Sequence, residues 1–190
     1  MRMSREAMAE HHREIVAAGA RMLRERGVDG VSVADLMKSV GLTHGGFYRH
    51  FDSKDAFVRE AVARAFLDVA TMRDEAGDGL APRVQLEAWI DYYLSLDHCQ
   101  TPEIGCPIAA LGPEIKRCPD EVRLGFADGV AEVLEWTAKR LAGSPQQRKD
   151  VASRLLALMV GAVVTARVSN QPDAILDPAR REARRLIGTT

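Results

Sequence analysis

The chain has 190 residues, 46% hydrophobic and 28% charged, a composition typical of globular proteins. Its net charge of −1 gives no sign of the strongly basic surface that marks many nucleic-acid-binding domains. The longest uncharged apolar stretch, residues 155–166, is shorter than the roughly 20 residues of a membrane span. The charged residues 1–13 lack the apolar core of a signal peptide, and three cysteines cannot all pair. We therefore expect a cytoplasmic protein that does not contact membranes.

Helix-forming residues dominate the chain, and no alternating strand pattern is convincing, so we predict an all-α fold. The first helix is predicted from about Ser4 to Arg26, where Gly27 ends it. A short second helix follows Ser32, because Asp35 three residues later completes a pattern typical of helix N-termini.

The next short helix is predicted to turn sharply away from the second, after Gly41 and Leu42. Thr43 is placed to cap it, and Phe47 and Phe51, four residues apart, are expected to point inward. Its polar side chains are then left facing outward. A helix-turn-helix presents its second helix to the major groove of DNA in this way.

Residues 27–57, GVDGVSVADLMKSVGLTHGGFYRHFDSKDAF, resemble the DNA-binding domain of the TetR/AcrR family of transcriptional regulators. The Gly-Leu turn, the Phe-Tyr-x-x-Phe core and the Ser-Lys start of the following helix fall at the family's spacings. The resemblance implies a three-helix DNA-binding domain in residues 1–52, a connecting helix over residues 53–75, and a ligand-binding and dimerisation domain in residues 76–190. It also implies a homodimer that binds a palindromic operator in double-stranded DNA, usually as a repressor, and responds to a small-molecule inducer.

Nine residues are predicted to contact DNA, in a region whose residues 42–51 contain no acid. Lys54 and the first backbone N–H groups of its helix suit a phosphate, and base reading is assigned to His44, Gly46 and Arg49. The Gly45–Gly46 pair costs about 1–2 kcal/mol of helix propensity. The two glycines either permit close approach of the backbone to DNA or are simply tolerated in a tight turn. Arg49 could instead be a solvated charge or pair with Asp52. The full set is Ser32, Thr43, His44, Gly45, Gly46, Tyr48, Arg49, His50 and Lys54.

The second half of the chain is predicted to contain five helices. Four of them are predicted over residues 82–97, 118–141, 147–168 and 178–187, and a short one starts at Cys106-Pro107. Residues 98–105 are predicted to be irregular. An aromatic-rich face is expected either to line a ligand cavity or to pack as ordinary core. The candidate ligand residues are Trp89, Tyr92, Tyr93, Cys106, Phe126 and Met159. Ala157, Gly161 and Val164 form a stripe of small residues that is expected to pack in a four-helix dimer interface.

Cys106 and Cys118 each precede a proline that suits the first position of a helix. A thiol at a helix N-terminus has a lowered pKa, so either cysteine could be an oxidant or electrophile sensor, with Cys99 as resolving partner. The segment around Cys106 also resembles one found in a subset of the family. The alternative is that these cysteines only fill the core. No zinc-ligand spacing occurs, and we predict neither a metal nor a cofactor.

Two other classes of function remain as alternatives. One is an enzyme with Cys106 as nucleophile, although His98 is the only histidine outside the N-terminal region. The other is a helical dimer that has lost DNA binding. The sequence favours a regulator over both, and we predict that the protein is not an enzyme.

Overall fold

The computed structural model describes residues 5–188, and the predicted all-α fold is confirmed over that range. Residues 1–4, including the predicted helix start at Ser4, and residues 189–190 lie outside the described residues. Within the described range, no helix is long and apolar enough to cross a membrane. The helices are α1 (Arg5–Arg26), α2 (Val33–Ser39), a 3-10 helix (His44–Arg49), α3 (Lys54–Ala76), α4 (Pro82–Tyr93), α5 (Leu96–Gln100), α6 (Pro107–Ile115), α7 (Asp120–Ala138), α8 (Pro145–Arg167) and α9 (Asp173–Gly188).

The two turns of the N-terminal region depend on glycines in the left-handed conformation. Gly27 ends α1 with φ of 77°, and Gly41 follows α2 with φ of 71°, values that residues other than glycine rarely adopt. The predicted cap of α2 is confirmed, because the Ser32 hydroxyl accepts a hydrogen bond from the Asp35 N–H at 3.1 Å. These turns bring α1, α2 and the 3-10 helix into one compact group.

The second helix of the helix-turn-helix is a 3-10 helix, whereas the sequence pattern was interpreted as an ordinary short helix. The amides of Gly46 and His50 donate to the carbonyls of Thr43 and Phe47, three residues back, at 2.9 Å. The predicted Thr43 side-chain cap is wrong, since its hydroxyl makes no cap hydrogen bond. Two adjacent glycines have low α-helical propensity, which favours this shorter and tighter helix.

An aromatic cluster fixes the 3-10 helix against α3. Phe47 and Phe51 are 0% and 3% exposed, as predicted, and their ring centroids lie 5.9 and 5.4 Å from that of Phe57 on α3. Gly19 of α1 has no side chain, which lets the Phe57 ring lie where a β-carbon would otherwise be. The orientation of the 3-10 helix is therefore set by α1 and α3 together.

Two clusters of buried side chains form the core. One joins the N-terminal helices to the first part of α3, to α6 and to the start of α7; the other lies among α4, α6, α7, α8 and α9. The first cluster crosses the domain boundary predicted at residues 52–76, because Leu111 and Val122 belong to the same buried cluster as the N-terminal aromatic residues. The N-terminal region, called the head below, is thus continuous with the helices that follow α3, called the body.

Several boundaries in the body differ from those predicted. The helix expected over residues 82–97 ends at Tyr93, because Ser95 caps a new helix, α5, through the His98 N–H at 3.2 Å. Part of the stretch predicted to be irregular is therefore helical. Cys106 is at the N-cap of α6 as expected, but α7 begins at Asp120 with Pro119 as its N-cap, so Cys118 lies outside the helix. Helix α9 also begins five residues before Pro178.

Close packing of α3 on α7 gives a test of this arrangement. A β-carbon at Gly129 would lie 2.5 Å from the Phe66 ring, whereas one at Gly125 on the same helix would meet only Arg59, at 3.9 Å. We expect Gly129→Ala to lower the free energy of unfolding by about 1–3 kcal/mol through overpacking. Gly125→Ala is the matched control and should raise it by about 0.5–1 kcal/mol through helix propensity. Equal effects in urea unfolding would contradict this packing.

Candidate DNA-binding and effector sites

The outer face of the 3-10 helix is polar and open. Thr43, His44, Gly45 and Arg49 are exposed, and the Tyr48 side chain is 65% exposed. The Tyr48 ring packs edge-on against the buried Phe47 ring, with centroids 5.3 Å apart. This contact holds the Tyr48 ring in place while its hydroxyl extends outward. Such a face offers hydroxyl, imidazole and guanidinium donors on a rigid support, which suits contact with base edges and phosphates.

Glycines 45 and 46 have different surroundings. A β-carbon on Gly45 would meet no atom within 4 Å, whereas one on Gly46 would contact the Met37 methyl group at 3.4 Å. Packing therefore gives a partial reason for glycine at position 46 and none at position 45. Arg49 makes no ion pair among the described residues, so the predicted alternative of pairing with Asp52 is not seen.

Histidines lie where the 3-10 helix meets α1. The His12 ring stacks on Phe51 with centroids 4.7 Å apart, and its Nε2 lies 2.8 Å from the Glu60 carboxylate of α3. His50 lies 5.9 Å from His12 between ring centroids. Burial lowers the pKa of His50, and the neighbouring His12, His11 and Arg49 lower it further. His50 is therefore biased toward the neutral form, in which one ring N–H remains available as a donor.

The predicted DNA-contact residues at two helix starts, Lys54 and Ser32, differ in availability. Ser53 caps α3 by accepting the Ala56 N–H at 3.0 Å, and the half-buried Lys54 is the first residue of that helix. Lys54 therefore adds a positive charge to the positive end of a long helix dipole. The Ser32 hydroxyl instead donates to the Asp35 carboxylate at 2.6 Å, so its proton is already engaged.

A small internal cavity of about 30 Å³ lies between α3, α4, α7 and α8. Four of the predicted ligand residues line it, namely Trp89, Tyr93, Cys106 and Met159. The space suffices for about one water molecule. The Tyr93 hydroxyl is buried without a hydrogen-bond partner, although it faces the Cys106 thiol, and burial raises its pKa well above the usual value.

The other two predicted ligand residues lie elsewhere. Tyr92 borders a neighbouring cleft of about 270 Å³, to which Trp89 and Arg73 also contribute. Phe126 packs on Phe66 with ring centroids 5.2 Å apart, in the cluster next to the head, and does not line the cavity. Phe126 is buried, but it enters the core next to the head and not the core around the cavity.

A buried arginine borders both the cavity and the cleft. Arg73 is 6% exposed, and its guanidinium lies 4.0 Å from the Trp136 ring centroid, with Arg140 stacked on the same ring at 3.6 Å. Asp74 accepts hydrogen bonds from Arg73 Nε at 3.1 Å and from the Trp136 indole N–H at 2.9 Å. Sequence reasoning missed this charged wall, since the residues are far apart in the chain.

Cys106 and Cys118 do not have the lowered pKa values predicted from their positions. Cys99 and Cys106 are 4% and 5% exposed, and burial raises the pKa of each thiol. Burial also raises the pKa of Cys118, as do the carboxylates of Asp55, Asp29 and Glu114. Desolvation of the thiolate thus outweighs the helix-dipole effect at Cys106. Among the described residues, no group of three His, Cys, Asp or Glu side chains is placed to hold a metal ion.

His98 joins α4 to the start of α6 and was missed as a structural residue. Its ring is 0% exposed; Nδ1 lies 2.7 Å from the Tyr93 carbonyl, and Nε2 accepts the Cys106 N–H at 3.1 Å. Because Nε2 is the acceptor, Nδ1 carries the proton of the neutral ring. Both nitrogens are engaged with backbone groups. His98 is therefore near Cys106 but is not available as a general base for its thiol.

The predicted dimer stripe is on the surface of the single chain. Ala157, Gly161 and Val164 are exposed on α8, and a β-carbon on Gly161 would meet nothing within 4 Å. Ala157 and Gly161, with Ile175 and Pro178 of α9, border a shallow groove. Val168, at the end of α8, is 85% exposed. The two helices present an apolar, small-residue face that a second copy could cover.

The neutral state of His98 predicts a pH-dependent contribution to stability. Burial lowers its pKa to about 4, with Arg167 adding to the effect and the Tyr93 and Asp97 contacts opposing it. Well above pH 6.5 the His98 ring is neutral in both the folded and the unfolded chain. As the pH falls, the unfolded chain takes up the proton first, so the folded state loses stability. We expect wild type to lose about 3 kcal/mol more stability than His98→Phe between pH 7 and pH 4. Urea unfolding at three pH values measures this, and equal losses would contradict it.

Comparisons with known proteins agree with this architecture. The family model for bacterial regulatory proteins, tetR family, matches residues 15–61. The repressor KstR2 of Rhodococcus jostii (strain RHA1) is 35% identical over 79 residues, which cover 40% of this chain but only 38% of that protein. The repressor NemR of Escherichia coli (strain K12) is 25% identical, with 98% of each chain covered.

Solved structures extend the likeness to the whole fold. The reduced form of Escherichia coli NemR superposes with a TM-score of 0.78 at 22% identity, covering 95% of this chain and 98% of that one. A TetR-family regulator from Cytophaga hutchinsonii gives a TM-score of 0.83 at 19% identity, covering 100% and 98%. Residues 15–61 thus match the model for bacterial regulatory proteins of the tetR family, and the solved structures show that the whole chain has the same fold as such regulators.

Proposed function

We propose that this protein is a ligand-responsive transcriptional repressor that binds a palindromic operator in double-stranded DNA as a homodimer. The observation that carries the proposal is the 3-10 helix, whose Phe47 and Phe51 are buried while Tyr48, Arg49 and His44 face outward. The relatives NemR and KstR2 are described as HTH-type transcriptional repressors, which supports the same function here. Such a protein acts in the cytoplasm, where its operator lies.

DNA contact is proposed to divide between phosphate and base readers. Lys54, Thr43 and Tyr48 bind phosphate oxygens, and Arg49 and His44 reach base edges. The chain as a whole is not basic, so affinity depends on this local surface. Operator binding should fall steeply with salt, because each neutralised phosphate releases counterions.

A second copy is proposed to pack on the face formed by α8 and α9. The exposed small residues Ala157 and Gly161 allow close approach of two helices, and Val164 adds apolar area. A symmetric dimer formed in this way carries two heads, which would occupy successive major grooves roughly 34–36 Å apart or more.

The effector is proposed to enter the body at the cavity lined by Trp89, Tyr93 and Met159. Its volume of about 30 Å³ is far below the roughly 300–1,000 Å³ of typical ligand pockets. The effector must therefore stabilise a more open state than the one described, and it shifts operator affinity only by binding that state better. Neither a thiol sensor nor a Cys106 nucleophile is favoured, because burial disfavours the thiolate and His98 is already engaged.

Selection of bound fragments from random DNA tests the proposed function directly. We expect one enriched palindromic sequence. Arg49→Ala should relax sequence preference at one position and weaken binding by about 1–3 kcal/mol, whereas Lys54→Ala should weaken binding to all sequences and reduce the salt slope by about 1. Lys139→Ala, at an exposed lysine that is the C-cap of α7, is the control and should bind normally. Failure to enrich any sequence with folded dimer would reject the proposal.

Gly45 allows DNA contact to be separated from folding. Open space around its missing β-carbon means that Gly45→Ala should leave stability unchanged or raise it by up to about 1 kcal/mol. The added methyl group should nevertheless obstruct close approach and weaken operator binding about tenfold, roughly 1.4 kcal/mol. Gly112→Ala in α6, whose β-carbon also meets nothing within 4 Å, should change binding little. Normal operator affinity in Gly45→Ala would remove this position from the interface.

A further inference from the structure

Arg24 is a buried arginine of α1 that is not part of the proposed DNA-contact surface. Its side chain is 1% exposed, and its guanidinium makes contacts with three different segments. Nη1 donates to the carbonyl oxygens of Ala65 in α3 and Gly105 before α6, both at 3.2 Å. Nη2 lies 3.3 Å from the Asp68 carboxylate, and Nε donates to the Ala20 carbonyl at 3.0 Å. Removing a buried arginine from water is unfavourable unless its donors are engaged in this way.

Gly105 is next to the wall of the cavity. Cys106 and Pro107, the two residues after it, line the cavity together with Tyr93. The Cys106 N–H is held by His98 Nε2, and the other His98 nitrogen is bound to the Tyr93 carbonyl. A displacement of the wall at Cys106 must therefore move the Gly105 carbonyl, which is bonded to Arg24.

Helix α6 is attached to the end of α1 at a second point. The Glu114 carboxylate, one residue before the end of α6, accepts the Val28 N–H at 2.7 Å. A β-carbon at Gly27 would lie within 2.5 Å of that carboxylate, so the contact is close. With Arg24 holding one end of α6 and Glu114 the other, α6 cannot tilt without displacing the C-terminal end of α1.

We propose that Arg24 is the positioning residue through which the effector cavity controls the orientation of the head. Opening the cavity shifts Cys106 and Gly105; Arg24 carries that shift into α1 and α3, and the 3-10 helix moves with them through Phe57. The inference rests on the proposed function, because it assigns the route by which an effector changes operator binding. A ligand that leaves Gly105 in place would not release DNA by this route.

A double-mutant cycle on operator affinity tests the proposal without a known effector. Gly105→Ala serves as the displacement, since its β-carbon would lie 2.8 Å from His98 Nε2 and 3.0 Å from Cδ2. We expect it to change operator affinity about tenfold in the presence of Arg24 and less than about twofold in Arg24→Met. Arg26→Met, an exposed arginine two residues along α1, is the matched control and should keep the full effect. Additive effects of Gly105→Ala and Arg24→Met would overturn the proposal.

A readout without DNA separates this proposal from the proposed function. Hydrogen exchange in the peptide covering residues 20–28 should increase in Gly105→Ala relative to wild type, and this difference should vanish in the Arg24→Met background. If no operator can be selected, the proposed function fails while this measurement still decides the coupling. An unchanged exchange rate in Gly105→Ala would reject the coupling.

Loss of folding in a variant does not prevent the test. Circular dichroism first establishes whether Arg24→Met and Gly105→Ala are folded. Where either is not, the same cycle uses Arg24→Lys and His98→Phe. A lysine ammonium cannot replace the simultaneous bonds to Ala65, Gly105 and Asp68, and the phenylalanine releases the Cys106 N–H. The same criterion of non-additivity then applies.

Discussion

The aromatic contact between the 3-10 helix and α3 is the interaction on which the rest of the head depends. Three phenylalanines, at positions 47, 51 and 57, place their ring centroids within 5.1–5.9 Å of one another. Buried aromatic residues contribute large apolar areas and prefer tilted or edge-on geometry. They hold in place a helix of only six residues that contains two glycines. Without them, this segment has little intrinsic tendency to be helical.

The body depends on a different kind of contact, in which buried polar groups are engaged by backbone atoms. His98 lies between a carbonyl and an amide, and Arg24 donates to three carbonyls and one carboxylate. Polar groups in a low-dielectric interior are unfavourable when unpaired and strongly directional when paired. These side chains therefore fix the positions of α5, α6 and α1 relative to one another more specifically than apolar packing alone would.

The same setting accounts for the behaviour of the cysteines. The position of Cys106 at the N-cap of α6 suggested a stabilised thiolate, yet burial dominates and raises the pKa of its thiol. A helix dipole is a local and modest effect, whereas removal of a charge from water acts on the whole group. The reactivity of a cysteine cannot be judged from its neighbours in the chain alone.

The all-α class, the turns at Gly27 and Gly41 and the inward orientation of Phe47 and Phe51 could all be predicted from the amino-acid sequence. These features follow from helical periodicity and glycine stereochemistry, which act over a few residues. Three features became clear only in the folded chain: Phe126 belongs to the core next to the head, Ser95 caps a separate helix, and Arg24 reaches Gly105. Arg24 and Gly105 are 81 residues apart, and no periodic pattern reports which distant elements meet or which donor finds which acceptor. Those outcomes depend on the packing of whole helices, which brings groups together that are unrelated in the chain.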